Sequence, residues 1–241
     1  MMGKTVAIGD VHGRKQWQAI VDKYPDAKIV FMGDYVDPYE YFSNDELLDN
    51  MRKIIDFKKQ NMDRVVLLLG NHDMHYISSD FHPCWRFSPS IAEEYAQLIN
   101  ENIGLFTYAY QEGNRIFTHA GVTEQWFTKI FHGDRQSNIA DQINSAIGDQ
   151  RLTLAACSWL RGGYDNDGGP FWADIEEIYN DPLVGYHQVV GHNRVNAVCT
   201  KTVSPSTSIT FCDCLDMCDY LVLDCEETTS PNITLQNEYC L

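Results

Sequence analysis

Five short polar clusters in the sequence carry side chains that could bind metal ions. Each combines glycine with aspartate, asparagine or histidine and follows an apolar run: Gly9 to Gly13, Gly33 to Asp37, Gly70 to Asp73, Thr118 to Gly121 and Gly191 to Asn193. Asp10 and His12 lie two residues apart, so on an extended segment their side chains point to the same face and can bind one ion. Carboxylate, amide and imidazole ligands without thiolate suit manganese, iron or zinc. The clusters therefore predict a metal centre.

Each cluster alone also has a simpler explanation. A Gly-Asp pair after a strand is usually a turn in which the aspartate side chain bonds to the backbone. An isolated histidine such as His119 or His192 is often a packed core residue. Turn chemistry does not account for five such clusters that all end apolar runs. We therefore interpret them together as one site.

The elements that would position these clusters are predicted from hydrophobic patterning. Strands at Val6 to Ile8, Lys28 to Met32 and Val65 to Leu69 alternate with helices at Lys15 to Lys23 and Asp45 to Lys59. This alternation favours an α/β fold with a largely parallel sheet. Open α/β sheets bind ligands at the carboxyl ends of their strands, which is where the clusters lie.

The second half of the chain is less regular. A helix is predicted at Ile91 to Ile103, with Ser90 as its N-cap and Glu93 completing a capping box. Phe106 to Tyr110 and Arg115 to Thr118 predict a hairpin that leads to His119. Further helices are predicted at Gln125 to Phe131 and Ile139 to Ile147, a loop at Arg161 to Gly169, and strands at Gln188 to Val190, Ile209 to Phe211 and Tyr220 to Leu223.

The motifs GDVHG, GDYVD and GNHD resemble those of calcineurin-like metallophosphoesterases, closest to the phosphoprotein (serine/threonine) phosphatase and diadenosine tetraphosphatase branch. The resemblance implies a four-layer α/β/β/α sandwich of two mixed sheets. It also implies that Asp10 and His12 hold a first divalent metal ion and that Asp34 bridges two. Asn71, His119 and His192 would hold the second ion. Manganese is the expected metal, with iron or zinc as alternatives.

The resemblance also implies the chemistry. Two cations close together neutralise phosphoryl oxygens and lower the pKa of a bridging water, so that a metal-bridging hydroxide attacks phosphorus. The leaving alkoxide needs a proton, and His72 is the expected general acid. In the resembled phosphatases the second aspartate of the GDxxD motif orients this histidine, and that residue is Asp37 here. Asp73 is the less favoured partner and could equally be a turn residue.

This sequence departs from the resembled phosphatases at two positions. After Asp37 they carry an arginine that binds phosphate, whereas this chain has Pro38 and Tyr39. Arg161 resembles their downstream arginine and is the candidate phosphate clamp, because guanidinium suits bidentate phosphate contact; the alternative is an ordinary surface arginine. Arg194 stands where many metallophosphoesterases have a second histidine, which favours the phosphatase or dinucleotide-hydrolase branch.

Other residues near the motifs have open roles. His75 could line the pocket or serve packing, and the remaining histidines, His82, His132 and His187, are expected to be structural or surface residues. The aromatic residues Tyr35, Tyr39, Tyr41 and Phe42 could stack on a base or aryl group or anchor a loop.

Composition limits the partners. The 241 residues are expected to form one domain over residues 1–241, and a net charge of −16 disfavours general nucleic-acid binding. There is no apolar run long enough for a bilayer span and no signal-like start, so we expect no membrane partner and a cytoplasmic location. The eight cysteines are interpreted mainly as free thiols, with a metal clip or redox pair as the alternative.

The resemblance to metallophosphoesterases implies three possible functions. The first is a metal-dependent phosphatase acting on phosphate monoesters, with a phosphorylated protein or small molecule as substrate. The second is a dinucleoside polyphosphate or nucleotide hydrolase. The third is a non-catalytic scaffold with the same fold, which the presence of all six expected ligands disfavours. Metal analysis distinguishes the scaffold from the enzymes.

Overall fold

Two five-stranded sheets form the centre of the protein. The computed structural model describes residues 3–81 and 83–224. The first sheet contains β1 (Lys4–Ile8), β2 (Lys28–Phe31), β3 (Val65–Leu68), β4 (Phe106–Thr107) and β10 (Leu221–Asp224). Its strand order is β10-β1-β2-β3-β4. Strands β1 to β4 are parallel, and β10 is antiparallel to β1.

The second sheet contains β5 (Ala109–Glu112), β6 (Arg115–Thr118), β7 (His187–Arg194), β8 (Cys199–Ser204) and β9 (Thr207–Asp213). Its strand order is β5-β6-β7-β9-β8. Strands β6, β7 and β9 are parallel, and β5 and β8 pair antiparallel at the two edges. Both sheets are therefore mixed.

Helices cover the outer faces of the sheets. They are α1 (Trp17–Lys23), α2 (Asn44–Gln60), α3 (Asn71–Ile77), α4 (Ala92–Glu101), α5 (Ile139–Asn144), α6 (Gly148–Thr153) and α7 (Ile175–Asn180). Alternation along the strands separates the layers, since successive side chains point to opposite faces. Val6 and Ile8 pack in the cluster that contains the helical residues of α1 and α2. Ala7 packs instead with Phe117 and Val189 of the second sheet.

The layers confirm the expected α/β/β/α sandwich of two mixed sheets. The cluster between the sheets contains residues of β1, β2 and β3 on one side and of β6, β7 and β9 on the other. On the far side of the second sheet, Ile178 of α7 packs against Val190, Ile209 and Phe211. In the described part of the chain, no helix has the length and apolar character needed to cross a membrane.

The structure confirms an antiparallel hairpin that leads to His119, but its first strand is β5 and not Phe106 to Tyr110. Phe106 to Tyr110 is not one strand, because β4 pairs with β3 in the first sheet and β5 pairs with β6 in the second. The chain changes sheets at Tyr108, whose backbone nitrogen donates to the side chain of Asn144. Pairing across two sheets depends on distant strands, which local alternation does not reveal.

Other element boundaries also differ. Ser90 does not cap α4, which begins at Ala92 after Ile91 and has no side-chain cap; the Ser90 hydroxyl accepts from Asn44 instead. The predicted helix at Gln125 to Phe131 is a single π-helical turn, Trp126–Ile130. Strand β8 and helices α3, α6 and α7 were not predicted from the sequence.

The cysteines divide into two chemical states. Cys199 is disulfide-bonded, so the interpretation as free thiols is wrong there. The free thiols among the described residues are Cys84, Cys157, Cys212, Cys214 and Cys218. Cys225, Cys240 and His82 lie outside the described residues.

Candidate metal centre

Strand ends from both sheets bring the candidate ligands together. Asp10 and Asp34 follow β1 and β2, Asn71 opens α3 after β3, and His119 directly follows β6. His192 differs from the expectation because it lies within β7, not after it. The pairing of β7 with β9 shifts register between Val190 and Arg194, and a bulge of this kind turns a side chain out of its regular direction.

The carboxylate of Asp34 lies between two groups of potential ligands. Its Oδ1 accepts a hydrogen bond from the His72 backbone N–H at 2.9 Å. Its Oδ2 lies 3.8 Å from Nε2 of His12 and 3.5 Å from Nε2 of His119. One group contains Asp10, His12 and Asp34, and the other contains Asp34, His119 and His192; within each, the ligand atoms lie within 4.8 Å of one another.

These separations suit metal coordination. Zinc binds histidine nitrogen and carboxylate oxygen at about 2.0–2.2 Å, so two ligands of one such ion lie roughly 3–4 Å apart. Nε2 of His12 lies 4.0 Å from Oδ2 of Asp10. On the other side, Nε2 of His119 lies 2.9 Å from Oδ1 of Asn71. Both groups therefore fit the size of an ion site, with Asp34 common to them.

Backbone carbonyls orient two of the histidines. Nδ1 of His12 lies 2.7 Å from the Val36 carbonyl, and Nδ1 of His119 lies 2.8 Å from the Met32 carbonyl. A carbonyl only accepts, so Nδ1 carries the proton and Nε2 keeps its lone pair for a metal. Nε2 of His192 is buried and has no hydrogen-bond partner among the described residues. An orphaned buried nitrogen is costly unless a ligand such as a metal ion uses it.

Burial makes the ionised forms of these side chains unfavourable when no cation is bound. It raises the pKa of Asp10 well above its usual range, and the carboxylates of Asp213 and Asp34 raise it further. It also raises the pKa of Asp34, together with Asp73. Burial lowers the pKa of His12 strongly and that of His119 to about 3. Bound cations would favour ionised carboxylates and neutral imidazoles, which are the forms that bind metal.

Several of these residues have an unusual backbone conformation. His12, Asp34, Asp37 and His192 have φ of 45°, 52°, 59° and 56°. Non-glycine residues with positive φ are uncommon, and such strain is concentrated at functional sites. The surrounding fold maintains these conformations and directs the side chains to one point.

Two glycines are required by close approach to the carboxylates. A Cβ on Gly70 would lie 2.1 Å from Oδ1 of Asp34, and a Cβ on Gly191 would lie 2.3 Å from Oδ1 of Asp10. Either contact is far shorter than van der Waals separation. The glycines in these motifs therefore leave room for the acidic side chains.

His72 is paired with Asp37 beside the ligands. Its Nδ1 lies 2.8 Å from Oδ2 of Asp37, which also lies 2.9 Å from Nε2 of His75. The hydroxyl of Tyr76 donates to Oδ1 of Asp37 at 2.6 Å. Burial alone would raise the pKa of Asp37, but these three partners outweigh it and the pKa is lowered. An ionised Asp37 holds the proton of His72 on Nδ1.

Asp73 has a different role from the one considered for it as a partner of His72. Its carboxylate accepts from the backbone amides of Asp34 and Gly70 at 2.8 Å and from Tyr35 at 3.0 Å. The Tyr95 hydroxyl donates to it at 2.6 Å. Asp73 therefore fixes the loop that carries Asp34. Its burial raises its pKa to about 6, although these hydrogen bonds oppose the rise.

Asp213 was not identified from the sequence. It ends β9, and its charge raises the pKa of Asp10. Burial raises the pKa of Asp213 itself to about 6. The only sequence signal was an acidic residue next to a strand, and this is too common to single out one position.

The sequence matches the profile of calcineurin-like phosphoesterases over residues 3–196. The chain belongs to this family. Among curated proteins, the sequence comparison returns no match.

Two solved structures of cold-active protein tyrosine phosphatases share the fold. The cold-active protein-tyrosine phosphatase of a psychrophilic Shewanella sp. matches with a TM-score of 0.56 at 17% identity, over 93% of this chain and 76% of that chain. Another cold-active protein tyrosine phosphatase structure gives a TM-score of 0.56 at 19% identity, over 93% and 74%. A protein serine/threonine phosphatase from Saccharomyces cerevisiae gives 0.49 at 16% identity, over 87% and 67%.

Within this calcineurin-like phosphoesterase, Arg161 is already engaged by other side chains. Its Nε lies 2.6 Å from Oδ2 of Asp174, and its Nη2 donates to Oδ1 of Asn193. Its charge contributes to the lowered pKa of His192, after burial. Arg161 is therefore close to the centre, but a carboxylate neutralises its charge.

A third group of possible ligands in this calcineurin-like phosphoesterase contains His72, His75 and Cys84. The Cys84 sulfur lies 2.8 Å from Nδ1 of His75. Burial raises the pKa of this thiol to about 12, so it is protonated. His75 contacts Asp37 next to the candidate ligands and also packs against Phe87. These two contacts correspond to the two roles considered for it.

The aromatic residues after Asp34 have separate positions. Tyr35 is buried and its hydroxyl donates to the Leu68 carbonyl, so it belongs to the core. Tyr39 is 56% exposed and packs edge-on against His12, with ring centroids 5.2 Å apart. Tyr41 is exposed. Of the three, Tyr39 lies beside the metal centre. His187, by contrast, bonds to Ser208 away from this group.

Proposed function

We propose that this chain is a dimetal-dependent phosphoesterase that hydrolyses phosphate monoesters of a protein or small molecule. The observation that carries the proposal is the Asp34 carboxylate, whose Oδ2 faces His12 on one side and His119 on the other. Asp10 and His12 would hold one divalent ion, and Asn71, His119 and His192 the other. Manganese is the proposed metal, with iron or zinc as alternatives. Two such ions would neutralise the phosphoryl oxygens and supply a nucleophile from water at neutral pH.

The chain's own residues supply the remaining steps. Asp37 holds the proton of His72 on Nδ1, so Nε2 faces the reacting group and can carry the proton that the leaving oxygen needs. His12 is 2% exposed and His119 is fully buried, so both imidazoles are shielded from bulk water. Arg14, directly after the first motif, bonds to Glu40 through two nitrogens and fixes the Tyr39 loop next to the site.

Hydrolysis of p-nitrophenyl phosphate and bis(p-nitrophenyl) phosphate tests the proposal. The metal-stripped protein is assayed with Mn²⁺, Zn²⁺ or Mg²⁺ added back, or with no metal. We expect metal-dependent turnover of the monoester in preference to the diester. A folded protein without turnover under any of these conditions contradicts the proposal and favours a scaffold.

A substrate panel then separates the phosphatase from a nucleotide hydrolase. The panel contains phosphoserine and phosphotyrosine peptides and a dinucleoside polyphosphate. Phosphotyrosine is included because the Shewanella protein of similar fold is a protein-tyrosine phosphatase. Faster turnover of the peptides supports the proposal, whereas faster turnover of the dinucleotide contradicts it.

A further inference from the structure

The charge of Arg86 is not neutralised by a carboxylate in the part of the chain that the structure describes. Other arginines around the centre are paired: Arg14 with Glu40 at 3.0 Å, Arg161 with Asp174 at 2.6 Å, and Arg194 with Asp216. Nη1 of Arg86 is buried and has no hydrogen-bond partner among the described residues. In a protein with a net charge of −16, this is a cation available to an anionic ligand.

Arg86 points to the reacting side of His72. Its Nη2 lies 3.4 Å from Nε2 of His72. In neutral His72, whose Nδ1–H Asp37 accepts, Nε2 accepts from Arg86. The protonated form that serves the leaving oxygen has no lone pair on Nε2, so the guanidinium must then bind the phosphoryl oxygens instead. The guanidinium therefore lies beside the place where a phosphoryl group would bind.

The guanidinium is held in this position by Tyr39. Its central carbon lies 3.4 Å from the centre of the Tyr39 ring, well within cation–π distance. The same ring packs against His12. Arg86 has φ of 78° and is the third residue of a turn that the Phe87 N–H closes by donating to the Cys84 carbonyl at 3.1 Å. This turn and the Tyr39 ring together place the guanidinium beside His72.

We propose that Arg86 is the phosphate-clamping residue of this chain, and this assignment rests on the phosphomonoesterase activity proposed above. Its planar fork donates to two non-bridging oxygens of a phosphomonoester dianion. A diester has one ionised oxygen fewer and gains less from this contact. Arg86 thus replaces the arginine that is absent after Asp37 and selects monoesters over diesters. Tyr39 is a positioning residue that acts through Arg86.

Variants of Arg86 test the clamp directly. Arg86→Ala and Arg86→Gln are compared with Arg86→Lys, and Arg52→Ala is the control because Arg52 is exposed on α2. Loss of a charge-assisted hydrogen bond should raise KM for p-nitrophenyl phosphate and the inhibition constant of inorganic phosphate on the order of 10- to 100-fold. Arg86→Lys should recover part of this loss, and kcat/KM for the bis-ester should change much less.

Tyr39 variants separate positioning from simple structural support. Tyr39→Ala should raise the phosphate inhibition constant with a smaller effect on kcat, and Tyr39→Phe should restore it because the ring remains. The assignment is overturned if both Arg86→Ala and Arg86→Gln keep the phosphate affinity and the monoester selectivity of the wild type.

Failure of the proposed activity remains distinguishable from failure of the clamp. Inorganic phosphate is titrated calorimetrically into the metal-reconstituted wild type and Arg86→Gln, which requires no turnover. Weaker binding in the variant supports the clamp even if the wild type hydrolyses nothing. Equal binding in both, or no binding to the wild type, overturns it.

Discussion

The carboxylate of Asp73 lies 2.8 Å from the backbone nitrogen of Asp34, the residue shared by both proposed ion sites. Asp73 follows β3, whereas Asp34 follows β2, so one strand end fixes the conformation of its neighbour. Asp34 has φ of 52°, a left-handed conformation that is uncommon outside glycine. The position of the shared ligand therefore depends on a residue that is not itself a proposed ligand.

Removing Asp73 should destabilise the fold. Asp73→Ala leaves the amides of Asp34, Tyr35 and Gly70 and the Tyr95 hydroxyl without their acceptor. Each buried unpaired group costs about 1–3 kcal/mol, and relaxation or water offsets part of the sum, so we expect a loss of about 2–4 kcal/mol. Urea denaturation measures this loss, with Asp56→Ala on the exposed face of α2 as the control. Equal stability of the two variants would show that the network is dispensable.

Adding one methyl group at Gly70 should disturb the metal centre. The Cβ of Gly70→Ala would lie 2.1 Å from Oδ1 of Asp34, whereas a Cβ at Gly104 meets nothing within 4 Å. We therefore expect Gly70→Ala to retain less metal after dialysis and Gly104→Ala to retain the wild-type amount. Metal content is measured by plasma emission spectrometry. Wild-type retention by Gly70→Ala would mean that Asp34 does not need its observed position.

Replacing His72 should affect esters according to their leaving groups. His72→Asn removes the proposed proton donor, so kcat on alkyl phosphates should fall about 10²- to 10⁴-fold. Activated aryl esters need little protonation and should lose much less. Rates over a series of leaving groups measure the difference. An equal loss across the series would assign His72 to positioning instead of proton transfer.

The sequence predicted the ligand clusters because each one is local. A strand, a glycine and a polar side chain occur within a few residues at Asp10, Asp34 and Asn71. The α/β class followed from the alternation of strands and helices, whereas the sandwich of two mixed sheets followed from the family resemblance, and both are confirmed. The ligand roles stay predictions, although the structure brings all six side chains together.

Long-range relations could not be predicted in this way. Asp73 and Asp213 act on ligands from other strand ends, and Arg86 reaches His72 from a loop without a motif. The chain's change of sheet at Tyr108 likewise depends on strands far away in sequence. The spacing of residues along the sequence contains no information on such contacts. The sequence therefore indicated Arg161 as the candidate phosphate clamp and gave no sign of Arg86.

His187 should make stability depend on pH. Burial, helped by Arg115, lowers its pKa from 6.5 to about 4. The unfolded chain therefore binds more protons between these values, so stability is full above about pH 6.5 and decreases as pH falls towards 4. Over this pH range, the free energy of unfolding of His187→Asn should fall by about 2–3 kcal/mol less than that of the wild type. Thermal unfolding of both proteins from pH 4 to 7 measures it; parallel curves would contradict the shifted pKa.

The most direct test of the account is the metal content and activity of Asp34→Ala beside the wild type. After reconstitution with Mn²⁺ and gel filtration, the wild type should retain two ions per chain and hydrolyse p-nitrophenyl phosphate. Asp34→Ala, folded by circular dichroism, should lose retention at both sites and turnover together, because its carboxylate faces both ligand groups. Two retained ions and normal turnover in Asp34→Ala would contradict the shared centre.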